Sequence, residues 1–273
     1  PICLLDGNAA EWADVEPILQ EDGVTLSAQY DAEGIYLLLE KEGLSPEEHL
    51  YIPIDIAPDV GSQVCAQPAL TFERNVDFLL CLTGTENSRL LVQERYDAMR
   101  ENFLFEITGV NPYIYYPEQD SSIFVPIQMA LENDLILDVV TPETRALQRL
   151  GTWETGKLLH GNGNPAAANY FSLADFCYGE NCVEIRLPWL LLNVADPSAM
   201  QVHCDYYQHY GVETQTISQI WFGVSLAGEE TIAMQPYSVK GWGRQLTWQE
   251  RLKQSYYVVQ AQWKGGGADA TEH

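Results

Sequence analysis

Positive charge is the scarcest property of this chain. Lysine and arginine together number 14 against 39 aspartate and glutamate residues, giving a formal charge of −25 and a pI near 4.3. A surface of that sign repels phosphate backbones and anionic lipid heads, which argues against nucleic-acid and membrane-surface roles. Long apolar runs are missing too: none approaches the roughly 18 residues that a membrane helix needs. Paired C-x-x-C units are absent among the six cysteines, Cys3, Cys65, Cys81, Cys177, Cys182 and Cys204. Cys65, Cys81 and Cys204 lie among apolar or β-patterned residues, where free thiols are ordinarily buried. Cys177 and Cys182 flank a Gly-Glu-Asn turn and admit either free thiols or a hairpin disulfide. The chain starts at Pro1, without Met or a leader pattern, and is expected to be a piece of a longer protein.

What the sequence does have is period two. In "VTLSAQYD", Val24, Leu26, Ala28 and Tyr30 fall on one face and Thr25, Ser27 and Gln29 on the other. "CVEIRLPW" repeats the pattern, with Val183, Ile185 and Leu187 inward and Glu184 and Arg186 outward, until Pro188 ends the ladder. Similar runs are "GIYLLLEK", "HLYIPIDI", "DFLLCLTG", "SRLLVQER", "DLILDVVT", "AMQVHCDYY", "SQIWFGVSLAG" and "TIAMQPYSV". Turn residues at 31–34, 84–87, 179–181 and 228–230 separate several of them at hairpin spacing. Helical signals are short: 94–105, 142–150, and 247–254, where Thr247 and Glu250 make a capping box. The expected fold is therefore all-β, a two-sheet antiparallel β-sandwich with a few short helices in long inserted loops. Without a repeat or a Pro- or Ser-rich linker, one domain is expected over 1–264, with 265–273 a flexible tail.

One stretch invites a different reading. "GTWETGK", Gly151 to Lys157, satisfies the G-x-x-x-x-G-K opening of a phosphate-binding loop. The residues before it are charged and helical in period, Leu158 stands where Ser or Thr must hold magnesium, and "HGNGNP" cannot carry a helix. Nucleotide binding is rejected. The run is expected to be an extended loop whose glycines and asparagines take positive φ. Trp153, Lys157, Asn162 and Asn164 then stand together as an aromatic face with ammonium and amide donors, the equipment for holding a sugar. The competing reading packs Trp153 onto the sandwich.

In "HCDYYQH", a strand would place His203 and Asp205 about 7 Å apart and His209 some 20 Å from His203, too far for one tetrahedral ion unless the chain turns. The same strand would carry Tyr206, Tyr207 and Tyr210 as a half-exposed row. "NPYIYYPEQD" sets Tyr113, Tyr115 and Tyr116 between two prolines, either a recognition loop or a lid on the core. Trp242 sits between two glycines, a second candidate for an exposed platform. With 39 acidic residues, carboxylate pairs arise by chance, so composition nominates no catalytic dyad. "GVSLAG" misses G-x-S-x-G by one residue.

Two segments resemble the DOMON-like β-sandwiches, a jelly-roll-type group that includes family 9 carbohydrate-binding modules. They are "LLDGNAAEW" followed by "SAQYDAEGIYLLLE", and "NCVEIRLPWLLLNVADP". The middle of the chain, roughly 57–179, matches no part of that pattern. "WQERLKQSYY", Trp248 to Tyr257, is also similar to a segment that ends such domains in large bacterial cell-surface proteins with a glycosidase-like barrel. The resemblance implies a non-catalytic, carbohydrate-binding-like module of an extracellular or surface protein, with other domains of its own chain as neighbours. A structural docking module without sugar binding is the alternative. It also implies that Trp12 and Trp189 are core aromatics. A structural calcium ion is a further implication, with Asp55 and Asp59 the nearest ligands, although two carboxylates fall short of the six or more oxygens calcium takes.

Overall fold

Runs that alternate in polarity bury one face only by pairing with a second layer, and here they build two. The structure, a computed structural model, describes residues 3–97, 116–131, 151–209, 213–225, 230–243, 259, 260 and 263. The chain divides into two compact units, Pro1–Trp242 and Gly243–His273. In the second, residues 259, 260 and 263 are helical. The strands belong to the first and are numbered in chain order. They begin with β1 (Pro17–Glu21), β2 (Val24–Tyr30), β3 (Gly34–Lys41), β4 (Leu50–Asp55), β5 (Ser62–Cys65) and β6 (Leu70–Val76). Next come β7 (Phe78–Leu82), β8 (Arg89–Gln93), β9 (Phe124–Pro126), β10 (Gln128–Leu131), β11 (Gly151–Glu154) and β12 (Phe176–Tyr178). The last are β13 (Cys182–Pro188), β14 (Val194–Asp196), β15 (Gln201–His203), β16 (Thr214–Thr216), β17 (Gln219–Phe222) and β18 (Gln235–Ser238).

Strands β1-β2-β3-β13-β12 form a five-stranded antiparallel sheet, and β18-β17-β4-β7-β8-β9 a six-stranded one. The main core lies between them. Leu26, Leu37, Val183 and Ile185 of the first sheet meet Ile52, Leu80, Val92 and Phe222 of the second. The fold is an all-β sandwich, as the alternation implies. The turn after β2 is set by Asp31, whose Oδ1 accepts from the backbone N–H of Glu33 and Gly34. Trp189 closes over it by donating its indole N–H to the Asp31 carbonyl at 2.8 Å.

Both outer faces are covered as well, and this changes one reading of the alternation. The β5–β6 hairpin lies over the six-stranded sheet, packing Cys65, Phe72 and Val76 on Leu79, Cys81 and Leu91. The N-terminal segment lies over the five-stranded sheet, where Cys3 and Trp12 join Tyr36, Leu38 and Cys182. Glu184, expected to face solvent, is fully buried under that segment. Its carboxylate accepts from the Trp12 indole N–H at 2.9 Å and from the backbone N–H of Asp6 and Gly7 at 2.9 and 2.7 Å. Burial raises the Glu184 carboxyl, and these donors partly pull it back.

Of the three expected helices, only the start of the first falls among the described residues. The segment read as helical from Glu94 makes a single 3₁₀ turn, Glu94–Tyr96, and its remainder past 97 lies outside the described residues. The helices expected at 142–150 and 247–254 and the strand "DLILDVVT" lie outside them too. "HCDYYQH" does turn: β15 ends at His203 and Tyr206–His209 is helical, with Asp205 Oδ1 accepting from the Tyr207 backbone N–H. Tyr206 and Tyr207 are buried rather than half-exposed, and Tyr210 is not described. All six cysteines are free. Cys177 stands opposite Glu184 and not Cys182, so the register gives the hairpin no facing thiol pair.

Candidate functional site

Among the described residues of the sandwich unit the most exposed aromatic ring is Trp153, with 63% of its surface accessible. Strands β10 and β11 form a two-stranded ribbon in which Met129 pairs with Trp153, so thioether and indole share one face. Met129 is exposed as well. Trp12 and Trp189, at 4% and 3%, are core aromatics. Trp242, the last residue of the first unit, is 41% exposed.

Beyond the ribbon, the glycine-rich run is a strap that ties the two sheets together. Its start joins the six-stranded sheet: Leu90 N–H donates to the Gly156 carbonyl, and Leu158 N–H to that of Ser88. Its end joins the other sheet and the N-terminal segment: Gly161 N–H donates to the Phe176 carbonyl, and Gly163 N–H to that of Leu5. Lys157 forms an extended bridge with Arg89 and has no helix after it, which agrees with rejecting a phosphate loop. The expected positive φ is not what these glycines supply. They allow close approach: a Cβ on Gly156 would lie 2.5 Å from the Leu90 carbonyl oxygen.

This strap separates the four residues grouped around it. Trp153 and Lys157 are exposed beside the six-stranded sheet. Asn162 and Asn164 lie near the N-terminal segment and are engaged by the fold. Asn162 Oδ1 accepts from the Asn164 backbone N–H, and Asn164 Oδ1 from that of Ala166. Asn164 Nδ2 donates to Asp6 Oδ2 at 2.9 Å. Of the tyrosine loop, Tyr113 and Tyr115 lie outside the described residues. Tyr116 stacks on Tyr207 with centroids 5.0 Å apart, and the Arg95 guanidinium lies over both rings. Arg95 is itself buried and paired with Asp205 at 2.8 Å, so this corner locks the loop to the helical turn.

Asp55 and Asp59 do share a place, a cleft of about 250 Å³ also lined by Gln63, Glu73, Arg74 and Asn75. Asp55 Oδ2 accepts from Arg74 Nε at 2.6 Å, and the guanidinium lies 4.0 Å from the Trp221 ring centroid. Burial raises the Asp55 carboxyl, while Arg74 pulls it down. Calcium fits this set poorly: a guanidinium already occupies Asp55, and no group of three or more His, Cys, Asp or Glu side chains is placed to hold a metal among the described residues. Behind the cleft wall lies Asp77, fully buried. Its Oδ2 accepts from the backbone N–H of Ile56 and Ala57, fixing the start of that wall. Burial, and then the charge of Asp55, push its carboxyl well above the usual range. Gly61, at φ +89°, passes so close that a Cβ would sit 2.8 Å from Asp77 Oδ1.

Neither Arg74 nor Trp221 was singled out by sequence reasoning. The signal was present in "LTFERNV": Arg74 occupies the inward phase between Phe72 and Val76, where a charge needs a partner.

No family model, curated protein or solved structure matches this chain. Function is therefore argued from these side chains alone.

Proposed function

We propose that the chain is a non-catalytic carbohydrate-binding module that recognises glycan by stacking on Trp153. The observation carrying this reading is the exposure of that one indole, at 63%, in a unit that buries Trp12 and Trp189. An exposed indole suits stacking on the apolar face of a pyranose. Lys157, also exposed, supplies hydroxyl contacts, while Asn162 and Asn164 serve the strap first. Tyr113, Tyr115, Tyr116 and Trp242 remain secondary candidates, and an acidic exterior favours neutral or cationic glycans. In this reading the module belongs to an extracellular or surface protein and works beside other domains. The test is a glycan array probed with the protein and with Trp153→Ala: the reading expects binding to a neutral or cationic glycan class that the substitution abolishes. An array blank for both proteins refutes it.

A second reading, a docking module with no sugar of its own, draws on Leu173, 61% exposed, beside exposed Tyr170 and Phe171. Apolar side chains grouped at a surface are the usual mark of a protein contact. If docking is the role, Leu173→Ser weakens association with the neighbouring domain and leaves the array unchanged.

A further inference from the structure

Most polar side chains of the strap are already engaged by the fold, whereas the cleft beside β4 and β6 keeps several polar groups open beside its paired Asp55 and Arg74 and beside Glu73, which accepts from the Met234 N–H. Arg74 is held from two sides, by Asp55 at 2.6 Å and by the Trp221 ring at 4.0 Å. Its terminal nitrogens have no hydrogen-bond partner among the described residues, and neither do the side chains of Asp59, Gln63 and Asn75. A guanidinium fixed along one edge presents its remaining N–H groups in a set direction, which is the arrangement of a binding group. The 57–60 lining is anchored too, because Asp77 Oδ2 accepts from the backbone N–H of Ile56 and Ala57.

The chemistry of the lining narrows what can enter. Asp55, Asp59 and Glu73 outnumber Arg74, and the whole chain carries −25, so an anion is disfavoured. Gln63 and Asn75 add both donors and acceptors. Donors and acceptors interleaved around one space match hydroxyl groups, each of which both donates and accepts. A volume of about 250 Å³ admits one small ring, below the ~300–1,000 Å³ of sites for drug-sized ligands. We infer that this cleft is a second binding site, for a small neutral polyol such as a single sugar ring, with Arg74 as its central contact. It shares the saccharide chemistry proposed for Trp153 but none of its residues, and it stands if that reading falls.

Trp221 is the reporter, since a ligand on Arg74 perturbs the indole beneath it. The intact protein carrying Trp153→Ala is titrated with free hexoses, pentoses and myo-inositol, and separately with calcium chloride and sodium phosphate, following tryptophan emission and calorimetric heat. The inference expects saturable binding of at least one polyol, undisturbed by Trp153→Ala. Adding Arg74→Met weakens it by at least about tenfold, the loss of one charge-assisted hydrogen bond. Exposed Asn75→Ala and Gln63→Ala, which leave the Arg74–Asp55 pair in place, each weaken it and serve if the Arg74 variant does not fold. No polyol binding, or binding indifferent to Arg74, Asn75 and Gln63, overturns the inference; so does binding of calcium or phosphate alone.

Discussion

Removing the Glu184 carboxylate tests how the N-terminal segment is held. In Glu184→Leu the indole of Trp12 and the N–H groups of Asp6 and Gly7 lose their common acceptor in a buried place. Each orphaned donor costs about 1–3 kcal/mol. Relief of the buried carboxylate offsets part of the sum, because burial already disfavours its charge. A net loss of about 3–5 kcal/mol follows, roughly 6–20 °C in melting temperature for a domain this size. Glu184→Gln keeps an oxygen for the two backbone donors and turns an amide N–H₂ toward the indole, for about 1–3 kcal/mol. In that background Trp12→Phe removes the opposed donor, so the double variant loses less than the two single losses added. Urea unfolding gives the energies, and hydrogen exchange locates them, with protection lost over residues 3–12 first. A Glu184→Leu protein within about 0.5 kcal/mol of the parent would refute the reasoning, since that is the range of an unimportant surface change.

Three further outcomes are expected. Asp77 holds its proton to a higher pH in the folded chain than its ordinary value of 3.8, so the native state binds more protons than the unfolded one above that pH. Stability then declines as pH rises toward the folded value, by at most about 1.4 kcal/mol per pH unit, and Asp77→Asn removes that slope; parallel urea midpoints for the two proteins from pH 4 to 8 would contradict this. Arg95→Met leaves Asp205 buried without its cation and is expected to cost about 3–5 kcal/mol in urea unfolding, against no change if the pair is incidental. Gly156→Ala drives a methyl against the Leu90 carbonyl and is expected to cost about 1–3 kcal/mol by shifting the strap; unaltered melting would show that the approach is loose.

The sheets were legible because hydrophobic spacing reports which residues share a face. Val24, Leu26 and Ala28, and Val183, Ile185 and Leu187, point inward as their period requires. Period two does not report whether the opposite face is covered, so it sets Glu184 toward solvent, where the N-terminal segment covers it. Local chemistry also competed with patterning: Asp205 caps a helical turn where alternation continued a strand. Trp153 was nominated from its neighbours, but its exposure depends on a ribbon partner that lies some two dozen residues earlier. The cleft draws on β4, the loop after it, β5 and β6. Its acidic side, Asp55 and Asp59, is legible in the sequence, and its basic side only through the inward phase of Arg74.

The most direct measurement is a calorimetric titration of the best glycan from the array into the parent protein and into Trp153→Ala. If the open indole is the platform, the substitution weakens binding by at least about tenfold, as expected for a stacking tryptophan, while the unfolding curve is unchanged. Equal affinity in the two proteins would contradict the account.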